Sequence, residues 1–287
     1  STRGTGRKCV IALLDRGDDK KGYRVTVLDI SMRSNADELR RILNAGAEVF
    51  YVDHHNAGDI PDHPQLTAKI DTSPVMCTAV LVDDHLGGKF RAWAVTAAFG
   101  DNFPELAASK SVGHDLPVES LARLGMLINY NGYGGSIDDL RFHPADLYAQ
   151  LSCYETPMAF LAEQQDIFSE LNSGYEDDFE MAKNARVLNE SPSGLIVVLK
   201  NNAASRRISG VFGNQLAQDH PARAHAVLTT QEGGYLVSIR APVSRRDGAD
   251  TLALQFETGG GRSAAAGINH LPEGDLDRFI QAFRDAF

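Results

Sequence analysis

Tyr-Arg-Val-Thr-Val-Leu-Asp-Ile at 23–30, Ser-Met-Arg-Ser-Asn-Ala-Asp-Glu-Leu-Arg-Arg-Ile-Leu-Asn-Ala-Gly at 31–46 and Glu-Val-Phe-Tyr-Val-Asp-His-His-Asn at 48–56 decide how this chain folds. The first run is rich in β-branched residues and bounded by Gly22, which predicts a strand. Ser34 can cap a helix with Asp37 at its third position, Leu39, Ile42 and Leu43 on one face, and Gly46 as its stop. Glu48–Asp53 then reads as a second apolar strand. Two strands joined by a helix of about three turns form a βαβ unit, and a βαβ unit implies a parallel sheet.

Outward from that unit, Thr78–Leu86, Ala92–Phe99 and Glu119–Asn129 carry helical patterns. Helical patterns return over 157–172 and 176–189, with Asn172-Ser173-Gly174 as punctuation between them. The division this predicts is a first domain over 1–172, a connector helix over 173–190 and a second domain over 191–287. The second domain opens at Ser191-Pro192-Ser193-Gly194. It offers strands at Leu195–Leu199, Ala224–Thr229 and Tyr235–Arg240, and helices near Ile208–Gln218, Thr251–Thr258 and Leu276–Phe287. Strands and helices mixed at short spacing make it a small α+β domain. Upstream, Arg7–Arg16 reads as a helix with Val10, Ile11, Leu13 and Leu14 on its buried side.

The chain has 287 residues, 43% hydrophobic and 23% charged, near soluble-globular averages. No apolar run approaches the roughly 20 residues that span a bilayer, so no membrane partner is expected. Neither a signal peptide nor an Arg/Ser-rich presequence is visible. Cys9, Cys77 and Cys153 form no disulfide framework and no zinc knuckle, which fits a reduced, cytoplasmic setting. The net charge of −10 is uneven. Residues 1–190 carry 18 Lys and Arg against 29 Asp and Glu, whereas 191–287 carry 10 against 9, and nine of those ten cations are arginine. Arginine offers the better fork for phosphate. The acidic balance leaves no broad basic surface of the kind duplex DNA requires.

Asp53-His54-His55 stands at the carboxyl end of one parallel strand, and Asp29 at the end of the strand before it. Ligand crevices of open α/β sheets lie outside those ends. Gly100-Asp101-Asn102 supplies a further carboxylate after an apolar helix. Carboxylates with one or two imidazoles suit Mn²⁺ or Mg²⁺, ions that acidify bound water and offset charge on phosphoryl oxygens. The second unusual stretch is Gly259-Gly260-Gly261-Arg262-Ser263-Ala264-Ala265-Ala266-Gly267. Its glycines permit close backbone approach, its N–H groups can cradle an anion, and Arg262 adds a charged fork; the same composition equally fits an open, flexible loop. His63, His85, His114, His143, His220, His225 and His270 lack ligand spacing and read as surface or packing residues. Trp93 and Phe99 read as core, Arg206-Arg207 and Arg245-Arg246 as solvated charge rather than contacts to a nucleotide backbone, and Gly132-Tyr133-Gly134-Gly135 as a turn. There is no Gly-x-x-x-x-Gly-Lys phosphate loop, and no local Ser/His/Asp or Cys/His nucleophile signature.

Taken together, Asp29, Asp53-His54-His55, Asp101 and the distant glycine triplet resemble the DHH phosphoesterase superfamily, over nearly the whole chain. The similar branch is the one whose DHH domain precedes a smaller DHH-associated domain ending in Gly-Gly-Gly-His…Ala-Ala-Gly. It includes oligoribonucleases, phosphoadenosine-phosphate phosphatases, cyclic-dinucleotide phosphodiesterases, RecJ-type exonucleases and exopolyphosphatase-like proteins. The resemblance implies an α/β fold, a parallel Rossmann-like sheet flanked by helices and then an α+β domain with a mixed sheet. It implies hydrolysis of phosphate esters by metal-activated water, with two Mn²⁺ ions (or Mg²⁺) held by Asp29, His54 and Asp101. His55 would face the substrate phosphate, and Asp53 would act with it as near-shell support. Arg240, Gly259, Gly260, Gly261 and Arg262 would hold substrate in a cleft between domains, and a homodimer is implied. The substrate would be a small nucleotide or short single-stranded oligonucleotide, with polyphosphate cleavage or nucleotide binding without catalysis as the alternatives.

Two departures stand out. Arg262 replaces the family's histidine; it can grip phosphate but cannot serve as a neutral acid or base. The family's first motif, Asp-x-Asp after an N-terminal strand, is not found. Asp15, Asp18 and Asp19 lie too close to strand 23–30 to leave room for the intervening helix. Without that motif the second metal position lacks most of its ligands, and the expectation is that upstream sequence carries it.

Overall fold

The computed structural model describes residues 22–73 and 75–287. The Arg7–Arg16 helix, Cys9 and the Asp15, Asp18 and Asp19 group lie outside the described residues. The chain divides into two compact units, one of residues 1–129 and 142–168, the other of 130–141 and 169–287. Among the described residues no helix is long and apolar enough to cross a membrane.

The first unit is built on a parallel sheet of β1 (Arg24–Leu28), β2 (Glu48–Asp53) and β3 (Leu66–Ile70), with β2 in the centre. Between β1 and β2 runs α1 (Ala36–Asn44), whose Leu39, Ile42 and Leu43 are buried against Val27, Val49 and Tyr51 of the sheet. The helix starts later than Ser34 suggests. Residues Arg33–Asn35 form a 3-10 turn instead, and no side chain caps α1. Its end is as expected: Gly46 takes φ +90°, and the N–H groups of Gly46 and Ala47 return to the carbonyls of Leu43 and Ile42. That closure satisfies the last-turn acceptors, and glycine adopts it without a Cβ penalty. Helices α2 (Thr78–His85), α3 (Arg91–Gly100), α4 (Pro104–Ser111), α5 (Val118–Tyr130), α6 (Pro144–Leu151) and α7 (Pro157–Glu163) follow. Cys77, Val80, Ala94, Val95, Ala98, Ala107 and Leu121 form a second apolar core there. Within it α3 and α5 meet at backbone contact, because a Cβ on Gly125 would lie 2.0 Å from the Thr96 carbonyl oxygen.

The second unit takes in residues 130–141 and then runs from within α8 (Gln165–Lys183) onward. This helix corrects the sequence reading twice. It passes unbroken through Asn172-Ser173-Gly174, and it ends at Lys183, so 186–190 is strand β4 (Arg186–Glu190) and not the end of a connector helix. Gly174 does not stop the helix. A Cβ there would meet the Arg141 Nε at 2.6 Å, so the glycine makes room for a guanidinium. β4 was obscured because its pairing with β5 (Gly194–Leu199) slips between Val187 and Asn189, which breaks the alternation that marks a strand. Next come α9 (Ala203–Asp219), β6 (Ala224–Gln231), β7 (Gly234–Arg240), α10 (Ala249–Ala253), β8 (Gly259–Arg262), β9 (Ala265–Pro272) and α11 (Leu276–Ala286). The six strands lie in the order β4-β5-β6-β7-β9-β8, with β5 and β6 parallel and the other neighbours antiparallel. Their apolar side chains pack with Phe279 and Phe283 of α11. The fold class is therefore α/β with a parallel sheet, followed by a mixed-sheet α+β unit.

Candidate active site

Three chain features bring carboxylates and imidazoles to the carboxyl rim of the parallel sheet. β1 ends at Asp29, a non-glycine residue at φ +60°. Aspartate is among the side chains that tolerate this conformation. It is pinned there: the Asp29 N–H donates to the Val52 carbonyl at 3.0 Å, and the Tyr51 hydroxyl donates to the Ile30 carbonyl at 2.7 Å. β2 ends at Asp53, whose Oδ1 accepts from the His54 backbone N–H at 2.8 Å and pairs with His55 Nδ1 at 2.7 Å. The third feature is the end of α3. Asn102 takes φ +63°, its N–H returns to Phe99, and the Phe103 N–H returns to Ala98. That αL closure leaves Asp101 as the helix C-cap, with its carboxylate at the rim.

His54 is the centre of the group. Its Nδ1 lies 2.7 Å from the Met76 carbonyl oxygen, which can only accept, so the proton sits on Nδ1. Its Nε2 lies 3.5 Å from Asp29 Oδ1 and 3.5 Å from Asp101 Oδ2. The Thr78 hydroxyl donates to Asp29 Oδ1 at 2.8 Å, and Phe103 lies edge-on to the ring. Ligand atoms of Asp29, His54 and His55 fall within 4.8 Å of one another, and Asp101 joins them through His54. A buried imidazole nitrogen facing two carboxylates, while the other ring nitrogen is tied to a carbonyl, is the donor arrangement of a divalent-cation site. The residues present fit the metal that the sequence resemblance implies.

Asp53 is fully buried, so it positions its neighbours and does not touch a substrate. Burial by itself pushes its carboxyl up. The His55 ring, through its hydrogen bond and its charge, and the backbone N–H groups of His54 and His55 outweigh burial and hold the carboxyl below the usual carboxylate range. An ionised Asp53 keeps a proton on His55 Nδ1 and orients that half-exposed ring. Cys77 is buried just before α2. Burial, with the Asp101 and Asp29 charges adding to it, pushes its thiol up to about 11, so it packs as a neutral thiol.

Arg240, Arg262 and the glycine triplet belong to the second unit. The triplet is not the open loop its composition suggests; it is strand β8, paired to β9. Gly259 is required because a Cβ would strike the Ala253 carbonyl oxygen at 1.7 Å. Gly261 is required because its φ is +147° and a Cβ would lie 2.4 Å from the Ala266 Cα, whereas a Cβ on Gly260 would meet nothing within 4 Å. In register, Arg240 pairs with Ala265 and Ala265 with Arg262, so the two arginines stand in one cross-strand row on either side of a methyl group. Arg240 donates to Asn214 Oδ1 at 2.6 Å, to Ser238 Oγ at 2.9 Å and to the Gly210 carbonyl at 3.4 Å, all neutral acceptors. Burial, helped by the Arg262 charge and opposed by Tyr133, pulls this guanidinium below its ordinary value. Among the described residues neither arginine has a carboxylate in salt-bridge range, so the row is a positive site short of an anion.

Reasoning from the sequence alone missed Asn102, Met76, Thr78 and Asn214, which orient the functional groups. It also misread Arg206 and Arg207. Arg207 is buried, donating to both Asp178 oxygens at 2.7 and 3.0 Å, and Arg206 is paired with Asp139 at 2.6 Å.

No protein-family model matches the chain, and no curated protein sequence does. Solved structures do match. One is the DHH domain of a member of the S1P family of ribosomal proteins, at 14% identity and TM-score 0.58, over 91% of this chain and 68% of that one. Another is the exonuclease RecJ bound to manganese, at 18% identity and TM-score 0.52, over 92% and 75%. A third is the pGpG-specific phosphodiesterase PggH from Vibrio cholerae, at 13% and 0.51, over 92% and 99%. The chain has the DHH fold. In that fold Asp29 and the Asp53-His54-His55 triplet stand at the ends of adjacent parallel strands.

Proposed function

We propose that this chain is a Mn²⁺-dependent phosphoesterase acting on a small nucleotide or a short single-stranded oligonucleotide. The observation that carries the proposal is His54, whose Nε2 meets Asp29 and Asp101 at 3.5 Å while Met76 holds the other ring nitrogen. Asp29, His54 and Asp101 would hold the ion, which when bound supplies an acidified water and charge stabilisation for phosphoryl oxygens. Asp53 fixes the His55 ring through Nδ1; as an imidazolium beside that carboxylate, His55 would donate from its outward Nε2 to a phosphoryl oxygen. In the second unit, Arg240 and Arg262 would grip a phosphate of the substrate, with the open face of Gly260 beside them. A guanidinium at 262 offers donors and no acceptor, so it binds phosphate and does not relay protons.

The test is product release from a short RNA, 3′-phosphoadenosine 5′-phosphate, a cyclic dinucleotide and polyphosphate, with Mn²⁺ and after chelation. Chelator-sensitive turnover of a nucleotide, abolished by Asp29→Asn with the melting transition retained, is the expected result. Turnover of polyphosphate alone would replace the substrate class. Turnover that survives chelation or Asp29→Asn, or silence across the panel, would overturn the hydrolase reading.

A further inference from the structure

Arg240 donates to the Gly210 carbonyl at 3.4 Å, and Gly210 also lies against an aromatic ring. A Cβ on Gly210 would lie 3.6 Å from the ring of Tyr133. Tyr133 stays 40% exposed, although its ring is packed against α9. It is also held rigidly. The Tyr133 N–H returns to the Tyr130 carbonyl at 3.2 Å. Two residues on, the Gly135 and Ser136 N–H groups donate to Asp139 Oδ2 at 2.6 and 3.2 Å. Asp139 is itself clamped in two-point fashion by Arg206 at 2.7 and 2.6 Å. At the near end, the Tyr130 hydroxyl is bonded to Asp178 and accepts from Arg207 Nε at 3.0 Å. Glycine at 135 is required by this clamp, since a Cβ would meet Arg206 Cδ at 2.9 Å.

A turn tied at both ends by ion pairs, presenting an aromatic residue that stays 40% exposed, is more than a packing residue needs. A ring whose only task was to cover α9 would need no such anchoring, and its exposed face would stay in water without return. Beside it stands a positive row without a carboxylate partner. We infer that Tyr133 is a base-stacking residue, and that the ligand of this unit is a nucleoside phosphate whose base lies on the Tyr133 ring while its phosphate meets Arg240 and Arg262. The inference rests on the anion grip proposed above and deepens it: polyphosphate has no group that could use the ring. Stacking is tolerant of base identity, because every base offers a π-face. The site therefore selects a nucleotide over a bare phosphate without selecting among nucleotides. Tyr133 contributes affinity and no proton, so its hydroxyl is dispensable.

The test is equilibrium titration of the full chain in chelator with AMP and, separately, ribose 5-phosphate, which keeps the phosphate and lacks the base. Working without metal separates the result from catalysis, so failure of the hydrolase reading leaves this one standing or falling by itself. The chain should bind AMP more tightly than ribose 5-phosphate. Tyr133→Ala should weaken AMP by about 5- to 150-fold, the range of one base–aromatic stack, and leave ribose 5-phosphate unchanged. Tyr133→Phe and Tyr133→Trp should restore AMP binding, which shows that the alanine variant failed by losing a ring and not its fold. Arg240→Met should weaken both ligands. Unchanged AMP affinity in Tyr133→Ala, parallel loss of both ligands in that variant, or no AMP binding by the unaltered chain would each overturn the inference. If Arg240→Met leaves both ligands unaffected while Tyr133→Ala still costs AMP alone, the stack stands and the anion grip falls.

Discussion

His225 permits a stability prediction whose size follows from the structure. It lies in β6, fully buried, and neither ring nitrogen has a hydrogen-bond partner. Burial, reinforced by the positive Arg223 and by His220 and opposed by Asp219, pulls the imidazole down to about 4. An unfolded histidine titrates near 6.5. Below that value the unfolded chain takes up a proton that the native chain refuses. The neutral ring therefore contributes stability that is complete above pH 6.5 and is lost as pH falls through 4. With those two values the loss is about 1 kcal/mol at pH 6, about 2 kcal/mol at pH 5 and about 3 kcal/mol at pH 4. Other groups also titrate in that range, so the measurement is a difference. Urea unfolding of the unaltered chain and of His225→Leu, followed by far-UV circular dichroism at pH 7.5 and pH 5, isolates the one ring. Leucine removes both unpaired nitrogens and keeps the apolar volume, so the variant should be no less stable at pH 7.5. Between pH 7.5 and pH 5 the unaltered chain should lose about 2 kcal/mol more than the variant. Parallel losses would mean that the ring finds a partner or water in solution, and the argument from an unpaired buried imidazole would be wrong.

Gly125→Ala would gain about 1 kcal/mol of helix propensity, yet its methyl would collide with the Thr96 carbonyl oxygen at 2.0 Å. Overpacking costs of about 1–3 kcal/mol or more should win, lowering the melting temperature and, by pushing α3, weakening Mn²⁺ binding through Asp101. Arg207→Met leaves the buried Asp178 carboxylate without its two-point partner. Arg141 at 3.4 Å and the Tyr130 hydroxyl still face Asp178, so the loss expected in chemical denaturation is at the low end of the range of about 3–5 kcal/mol for breaking a buried pair, most of it recovered when Asp178→Leu is added. Asp53→Asn removes the charge that fixes the His55 ring. Its signature should be a lower kcat and a shifted pH profile at little cost to Mn²⁺ affinity, and an unchanged profile would show that His55 is oriented by something else. Mn²⁺ should raise the melting temperature of the unaltered chain, and Asp29→Asn should remove that rise.

The parallel sheet and the convergence of Asp29, His54, His55 and Asp101 were legible in the sequence because each had a local signal. β2 matches its apolar run from Glu48 to Asp53, and the residues after a central parallel strand must fall on the ligand rim. β3 was not legible. Leu-Thr-Ala-Lys-Ile does alternate, with Leu66, Ala68 and Ile70 half-buried and Thr67 and Lys69 exposed, but five residues are too short a run to separate an edge strand from a loop. α9 begins earlier than its apolar pattern suggests, because the Asn202 side chain accepts from the Ser205 N–H at 2.8 Å and starts the helix ahead of its first buried apolar residue. The strand at 259–262 was hidden by its own glycines, which have no side chains to alternate. Their necessity shows only against Ala253 and Ala266.

The arginines show most plainly what a linear reading leaves out. Arg206, Arg207, Arg240 and Arg262 share one residue type and one charge, and from sequence the first two read as solvated and the last two as ligand-gripping. What separates them is the distribution of carboxylates in space. Asp139 and Asp178, 67 and 29 residues away along the chain, neutralise Arg206 and Arg207 and turn them into fasteners for the turn that carries Tyr133. Arg240 and Arg262 meet only neutral acceptors or solvent among the described residues, and strand register sets them in one row across Ala265. Two guanidiniums in a row repel one another, and that cost is relieved when an anion sits between them. A phosphate at this row should accordingly stabilise the second unit, and the gain should shrink with salt as screening weakens it. Thermal melts with AMP at low and at high ionic strength measure that directly. A ligand-induced shift that ignores salt would place the phosphate away from Arg240 and Arg262.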